Sequence, residues 1–261
     1  MTTLLIDNPL YFDRLVQVEL DHWWSRGMWQ IAAGFLDRAL VRRTGLKALD
    51  IGCGTGGTLR RLHARPEIDR VIGIDTSRAA LERAAGCDVS LGSALALPVE
   101  ANSVDVITCF DVLQHLPTNG DATAFHEIAR VLRTRGIAIL RTNGRGLWPD
   151  RSRPEVTYKI SSLVTLAQAA GLNVRQATYA NCVPSIATEI VGRFSSRSNL
   201  ANHYGHPQGR GLRIRRVNHR HDRCMRVISA LEAFAITRLR IRLPVGHSTL
   251  LLVEKSGGLH P

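Results

Sequence analysis

Apolar runs and helical spacings alternate through the centre of the chain. Leu46–Ile51 is a short apolar run, and a helical pattern follows from Thr58 to about Arg65. The alternation continues with a run at Arg70–Asp75, a helix over Ser77–Ala85, runs at Asp88–Leu91 and Val104–Phe110, a helix over Asp121–Leu132, and a run at Gly136–Thr142. A helix over Ser161–Ala170, a strand over Asn173–Tyr179 and a closing strand over His247–Glu254 complete the series. Strands joined by helices predict right-handed crossovers and a parallel sheet buried on both faces, an α/β doubly wound fold. Ligands of such sheets sit beyond the carboxyl ends of the strands. Here those ends carry Gly52–Gly56, Asp75, Gly92-Ser93-Ala94, Asp111–His115 and Asn143, so five loops converge on one cleft.

Two regions stand outside this alternation. Residues 9–42 have helical spacing, with Tyr11, Phe12, Leu15, Phe35 and Leu36 at apolar positions, and predict one or two helices covering the core. Residues 182–242 form an insertion before the last strand. It holds an apolar helical pattern at Val183–Val191, a His/Gly/Arg-rich run at Asn202–Asn218, and helical spacing again from Cys224 to Arg240. So long an insertion at this point suits a substrate lid. A single domain over 1–261 is expected, with a helical cover (1–44), a core (45–181 and 243–256) and the insertion (182–242). A Gly/Pro/Arg-rich loop is expected over Gly144–Pro154.

Composition narrows the class. The 261 residues are 44% apolar, ample for a core. Five scattered cysteines, with no Cys-x-x-Cys pair and no Cys/His spacing for zinc, predict reduced thiols, a cytoplasmic compartment and no metal. No apolar run approaches the roughly 20 residues of a membrane span, and no basic segment with an apolar core follows Met1. The net charge of +12 is unevenly spread, since residues 193–242 hold twelve arginines against Asp222 and Glu232. That segment reads as a solvated basic face, as a lid binding an anionic group through the guanidinium pair Arg215 and Arg216, or as a nucleic-acid surface. Few aromatics are interleaved, Phe194 and Tyr204 among them, which disfavours nucleic acid.

The most informative stretch is Leu49-Asp-Ile-Gly-Cys-Gly-Thr-Gly-Gly57, read as strand, tight turn and helix start. Glycines there accept positive φ and let the backbone approach a ligand at a helix N-terminus. Gly52, Gly54 and Gly56 give G-x-G-x-G, while Gly52, Gly54 and Gly57 also satisfy the dinucleotide pattern G-x-G-x-x-G. Asp50 before the first glycine, and Asp75 at the tip of the next run where it can accept bonds from a ribose diol, sharpen the reading. Asp50-Ile-Gly-Cys-Gly-Thr-Gly56, Gly73-Ile-Asp75 and Asp111-Val-Leu-Gln-His-Leu-Pro117 together resemble the class I S-adenosylmethionine (SAM) methyltransferases. Glu19-Leu-Asp-His-Trp-Trp-Ser-Arg-Gly27 resembles the His-Trp-Trp opening of a bacterial subgroup, with Ser25 in place of the usual Phe. Leu243–Leu250 resembles a recurrent Pro-x-Gly-x-Ser ending.

The resemblance implies a Rossmann-like, seven-stranded sheet with its last strand antiparallel, SAM as cofactor, and methyl transfer to a small-molecule acceptor. Candidate acceptors include lipid-like or secondary-metabolite compounds with an anionic group. The resemblance places SAM against Asp50, Gly52, Cys53, Gly54, Gly56, Asp75, Thr76, Ser93, Ala94, Asp111 and Val112. Ser93 stands where relatives usually carry Asp, so a weaker adenine contact is expected, and Gln114 stands where many carry Glu. His115 is the nearest residue of suitable pKa to serve as general base. Trp23 and Trp24, with Tyr11, either pack the cover or wall the sulfonium. Tyr158, read as an exposed tyrosine after Arg151-Ser-Arg-Pro154, completes the candidate substrate contacts with Arg215 and Arg216. Oligomeric state is not legible. Other readings are a methyltransferase acting on nucleic acid, a SAM-binding protein with a non-methylating role, and an NAD oxidoreductase, the last without any hydride-transfer constellation to support it.

Overall fold

The computed structural model describes residues 9–145, 156–187 and 219–257. Two helices open the chain, α1 (Pro9–Val18) and α2 (Trp23–Ala39). The break falls where His22 caps α2, its Nδ1 accepting the Trp24 N–H at 3.3 Å. The core then runs β1 (Leu46–Ile51), α3 (Gly57–His63), β2 (Ile68–Asp75), α4 (Arg78–Leu81), β3 (Asp88–Leu91) and β4 (Val104–Phe110). A 3-10 turn at Leu113–His115, α5 (Gly120–Val131), β5 (Leu132–Asn143), α6 (Ile160–Ala169) and β6 (Leu172–Ala180) follow. A helical stretch over 182–187, α7, opens the insertion, and α8 (His219–Thr237) leads back to β7 (Ser248–Lys255).

The seven strands lie in the order β3-β2-β1-β4-β5-β7-β6. Strands β1 to β5 pair in parallel, and β7 runs antiparallel between β5 and β6, giving the Rossmann-like sheet expected. Side-chain alternation sends the central strands into two cores. On one face Leu49, Ile51, Ile107 and Leu140 meet Phe125 and Ile128 of α5 and Leu163 of α6. On the other, Ala48, Val106, Ile139 and Leu250 meet Phe35 and Leu36 of α2, Leu59 of α3 and Ile236 of α8. Among the described residues no helix is long and apolar enough to cross a membrane.

One helix is shorter than the sequence predicts, strand β5 begins at Leu132 and not at Gly136, and one helix contact was not readable from the sequence. The helix expected over Ser77–Ala85 ends at Leu81, because the chain tightens into i→i+3 bonds, Arg83 N–H to Ala80 O and Ala84 N–H to Leu81 O. The C-terminal arm of the insertion, α8, is also packed against the N-terminal cover along its length. Gly27 of α2 faces Ser229 and Gly34 faces Thr237, so the two helices run parallel. A Cβ at Gly27 would lie 2.7 Å from Ser229 Cβ, and one at Gly34 would lie 2.5 Å from Thr237 Cγ2. The helix ends are tied down as well. Arg38 donates to the Thr237 carbonyl and to Gln176 Oε1, and the Glu232 carboxylate accepts the Asn181 and Cys182 N–H groups at the start of α7. The run Asn202–Asn218, with Arg215 and Arg216, and most of the loop Gly144–Pro154 lie outside the described residues.

Gly34→Val should destabilise the protein by about 1–3 kcal/mol through overpacking against Thr237. Urea unfolding with an unchanged m value checks this, and a neutral effect would mean that α8 is not seated on α2 as described.

Candidate active site

The turn after β1 is shaped by what surrounds it. Gly52 (φ 73°) and Cys53 donate their N–H groups to the Ile74 carbonyl at 2.7 and 3.1 Å, stitching the turn to the end of β2. A Cβ on Gly52 would fall 2.2 Å from Val112 Cγ2, so Val112 closes directly over the backbone. Gly54 (φ 53°) differs, because no atom lies within 4 Å of its Cβ position and its backbone borders open space. The Gly54 N–H donates to Asp75 Oδ2 at 2.8 Å, and the Ser77 N–H donates to Asp75 Oδ1 at 2.8 Å. A carboxylate offers about four lone-pair sites, so these two bonds leave Asp75 capacity for a diol. Gly56 provides the left-handed N-cap of α3, and Thr76 is exposed beside Asp75.

Three carboxylates converge here from separate segments. Asp50, at 2% exposure, accepts the Thr108 hydroxyl at 2.6 Å. Burial pushes its carboxyl up to about 7; the charges of Asp75 and Glu19 add to the rise, and the Thr108 bond and Arg141 oppose it. Glu19, from the junction of α1 and α2, accepts the Thr55 hydroxyl at 2.7 Å and Arg60 at 3.3 Å. Gly57 permits that approach, since a Cβ there would stand 2.6 Å from Glu19 Oε2. Burial raises the Glu19 carboxyl as well. Burial pushes the thiols of Cys53 and Cys109 far up, so neither is a thiolate nucleophile. The turn therefore favours a ligand that carries positive charge.

The His-Trp-Trp segment is divided among three tasks. His22 caps α2, Trp23 is buried, and Trp24 stacks on the Arg141 guanidinium at 4.6 Å. Arg141 also lies 4.7 Å from the Phe110 ring and forms a two-pronged pair with Asp111, at 2.5 and 3.2 Å. Asp111 itself holds φ 60° just after β4. From α3, Arg61 donates to the carbonyls of Glu19, Leu20 and Ser25, clasping the cover to the glycine turn. Tyr11, half-buried on α1, meets Phe12 edge-on at 5.3 Å. Arg61 and Arg141 carried no local signal in the sequence, and Glu19 stood in the His-Trp-Trp string without a readable role, because their partners come from distant elements.

The remaining candidates lie in the loops after β3 and β4, with Tyr158 packed beside the second of these. Ser93 Oγ accepts the Leu95 N–H at 3.2 Å, and Ala94 is buried. Gln114 Oε1 accepts the Thr142 hydroxyl at 2.7 Å, beside the half-buried His115 in the 3-10 turn. Tyr158, which the sequence suggests is exposed, is instead buried with its hydroxyl donating to the Leu113 carbonyl at 3.2 Å. Burial pushes that phenol up to about 12, so it supports the 111–116 loop as a neutral donor.

Residues 49–140 match the family model described as a methyltransferase domain. Over 112 residues the chain is 39% identical to an uncharacterised protein of transposon TN4556 from Streptomyces fradiae, covering 39% of this chain and 31% of the relative. Over 126 residues it is 33% identical to the ubiquinone biosynthesis O-methyltransferase of Burkholderia cenocepacia, covering 45% of this chain and 52% of the relative. The chain thus spans about half, or less, of the length of these curated relatives. Among solved structures it resembles Haemonchus contortus phosphoethanolamine N-methyltransferase 2 in complex with SAM, with a TM-score of 0.61 and 16% identity over 95% of this chain and 57% of that one. That likeness establishes the shared fold.

The buried carboxyl at Asp50 gives a pH prediction. Its pKa is raised in the folded chain, so the folded state holds the proton more tightly than the unfolded one, and stability falls as pH rises towards 7. Asp50→Asn removes that penalty. Between pH 5 and pH 8 the wild type should lose about 2–3 kcal/mol relative to the Asn variant, at about 1.4 kcal/mol per pH unit below the folded pKa. Thermal unfolding of both proteins across that range checks this, and parallel curves would place the Asp50 pKa near its ordinary value.

Proposed function

We propose that the chain is a SAM-dependent methyltransferase acting on a small-molecule acceptor. The observation that carries this reading is the convergence of Asp50, Asp75 and Glu19 on a glycine turn that borders open space at Gly54. SAM combines adenine and a ribose diol with a sulfonium and an amino-acid ammonium and carboxylate, and when bound it supplies an electrophilic methyl group. In this reading Asp75 takes the diol with its spare lone pairs, and Thr76 flanks it. Asp50 opposes the ammonium, while the backbone of Gly52, Cys53, Gly54 and Gly56 allows close approach of the methionyl part and the start of α3 favours its carboxylate. Ser93 and Ala94 flank the adenine. Because Ser93 Oγ already accepts the Leu95 N–H, one acceptor site there is spent and the contact is weakened. Asp111 and Val112 close the cleft over the turn.

His115 is assigned to take the proton of the acceptor as methyl transfer proceeds. The stack of Trp24 on Arg141, fixed by Asp111, forms the wall on the cover side. Trp23, next to Trp24, is buried in the core, Tyr11 packs edge-on against Phe12 of the cover, and Tyr158 holds the Leu113 turn. Alignment of two partners in a dry cleft is the main demand of such a displacement. The methyltransferase-domain match over residues 49–140 supports the reaction class, and the similarity to a ubiquinone biosynthesis O-methyltransferase supports a small-molecule acceptor. Five unpaired cysteines support a cytoplasmic setting.

Asp75→Ala is expected to weaken SAM binding by at least about 1 kcal/mol; unchanged affinity in calorimetry would remove Asp75 from the site. His115→Ala should lower turnover while SAM affinity is largely kept, and equal loss of both would make His115 structural. Isotope-labelled methyl from SAM, incubated with the protein and a metabolite extract beside a nucleic-acid pool, should enter a small-molecule fraction. Label confined to nucleic acid would overturn the acceptor class, and no label despite SAM binding would overturn methyl transfer.

A further inference from the structure

Helix α8 has two unlike faces. Its inner face packs on α2 and the sheet through Ser229, Ala233, Ile236 and Thr237. Its outer face carries Val227, Leu231 and Phe234, exposed by 56%, 64% and 55% and spaced so that they form one stripe. Leu239 and Ile241, 59% and 44% exposed, extend the stripe beyond the helix end. Arg223 stands at one end, and Arg238, Arg240 and Arg242 stand at the other, all of them exposed. No ion pair joins any of these four to a carboxylate among the described residues. The acids of α8 are otherwise engaged: Asp222 pairs with Arg226, and Glu232 turns inward to the Asn181 and Cys182 N–H groups.

An apolar stripe with cationic ends and no free acid matches a bilayer surface that carries negative charge. Aliphatic and phenyl groups enter the acyl boundary while guanidiniums remain at the phosphate level. A second copy would bring like charges together at the stripe ends, and nucleic acid gains little from Val and Leu, which cannot stack on bases. We infer that the outer face of α8 docks the protein on an anionic lipid surface. Ser229 lies against Gly27, one turn along α2 from Trp24, so the Arg223 end of α8 packs beside the part of the cover that carries Trp24. The inference rests on the exposed helix face and does not depend on methyl transfer.

Because the whole chain carries +12, non-specific attraction must be separated from docking. Flotation at physiological salt is performed with vesicles of mixed phosphatidylglycerol and phosphatidylcholine, and with phosphatidylcholine alone. Wild-type protein should float with the anionic vesicles only. The Leu231→Ser/Phe234→Ser double variant keeps the charge and alters only exposed positions, so its thermal midpoint should be preserved while its bound fraction falls at least fivefold. Absence of wild-type flotation, or equal flotation of the variant, would overturn the inference. So would light scattering that shows a wild-type dimer and a monomeric variant, since the stripe would then belong to a second copy.

Discussion

A carboxylate buried at the end of a central strand sets the terms for everything around it. Asp50 cannot escape to water, and its one described hydrogen bond comes from Thr108. Asp75 and Glu19 are held nearby by backbone N–H groups, a hydroxyl and Arg60, so their charges raise the cost of ionising Asp50. Arg141 offsets part of that cost, but its guanidinium is already engaged by Asp111 and stacked on Trp24. In the proposed reading the cationic groups of SAM complete the local charge balance. Such a site would sacrifice stability in the free protein for affinity in the bound one, a common trade at functional sites.

The cover belongs to the same construction. Arg61 clasps three carbonyls at the α1–α2 junction, which brings Glu19 onto the start of α3. Parallel packing of α8 on α2 through Gly27 and Gly34 then ties the C-terminal arm of the insertion to that cover. Trp24 meets a guanidinium within the protein at 4.6 Å, so one of its contacts serves to hold the wall rigid. A change in the cover would accordingly be felt at the glycine turn through Glu19 and at the 111–116 loop through Arg141.

The strand-and-helix alternation from Leu46 to Asn143 was legible because each element carries its own periodicity. The glycine turn and Asp75 were legible because their chemistry lies at fixed offsets from those strands. Glu19 and Arg141 were not, since their roles arise only when segments 36 and 30 residues apart in sequence are folded together. The role of Trp24 was open for the same reason, because nothing in His22-Trp-Trp24 shows which cation the ring will meet. Tyr158 was misread as exposed because it follows a polar, Arg/Pro-rich loop, whereas Asn143 accepts its N–H and draws the ring beneath the Leu113 turn. The shortened α4 shows the reverse case, in which good helix formers such as Ala84 and Ala85 give way to tight turns beside Gly56.

The central claim is that the carboxylate cluster at the glycine turn recruits a cationic cofactor. Calorimetry of SAM and of S-adenosylhomocysteine, which lacks the sulfonium charge, between pH 6 and pH 8 in buffers of differing ionisation enthalpy tests it most directly. The expected result is that SAM binding releases protons near pH 6.5, tightens as pH rises, and gains over S-adenosylhomocysteine as Asp50 ionises. Affinities independent of pH, equal for the two compounds and without proton release, would contradict the claim.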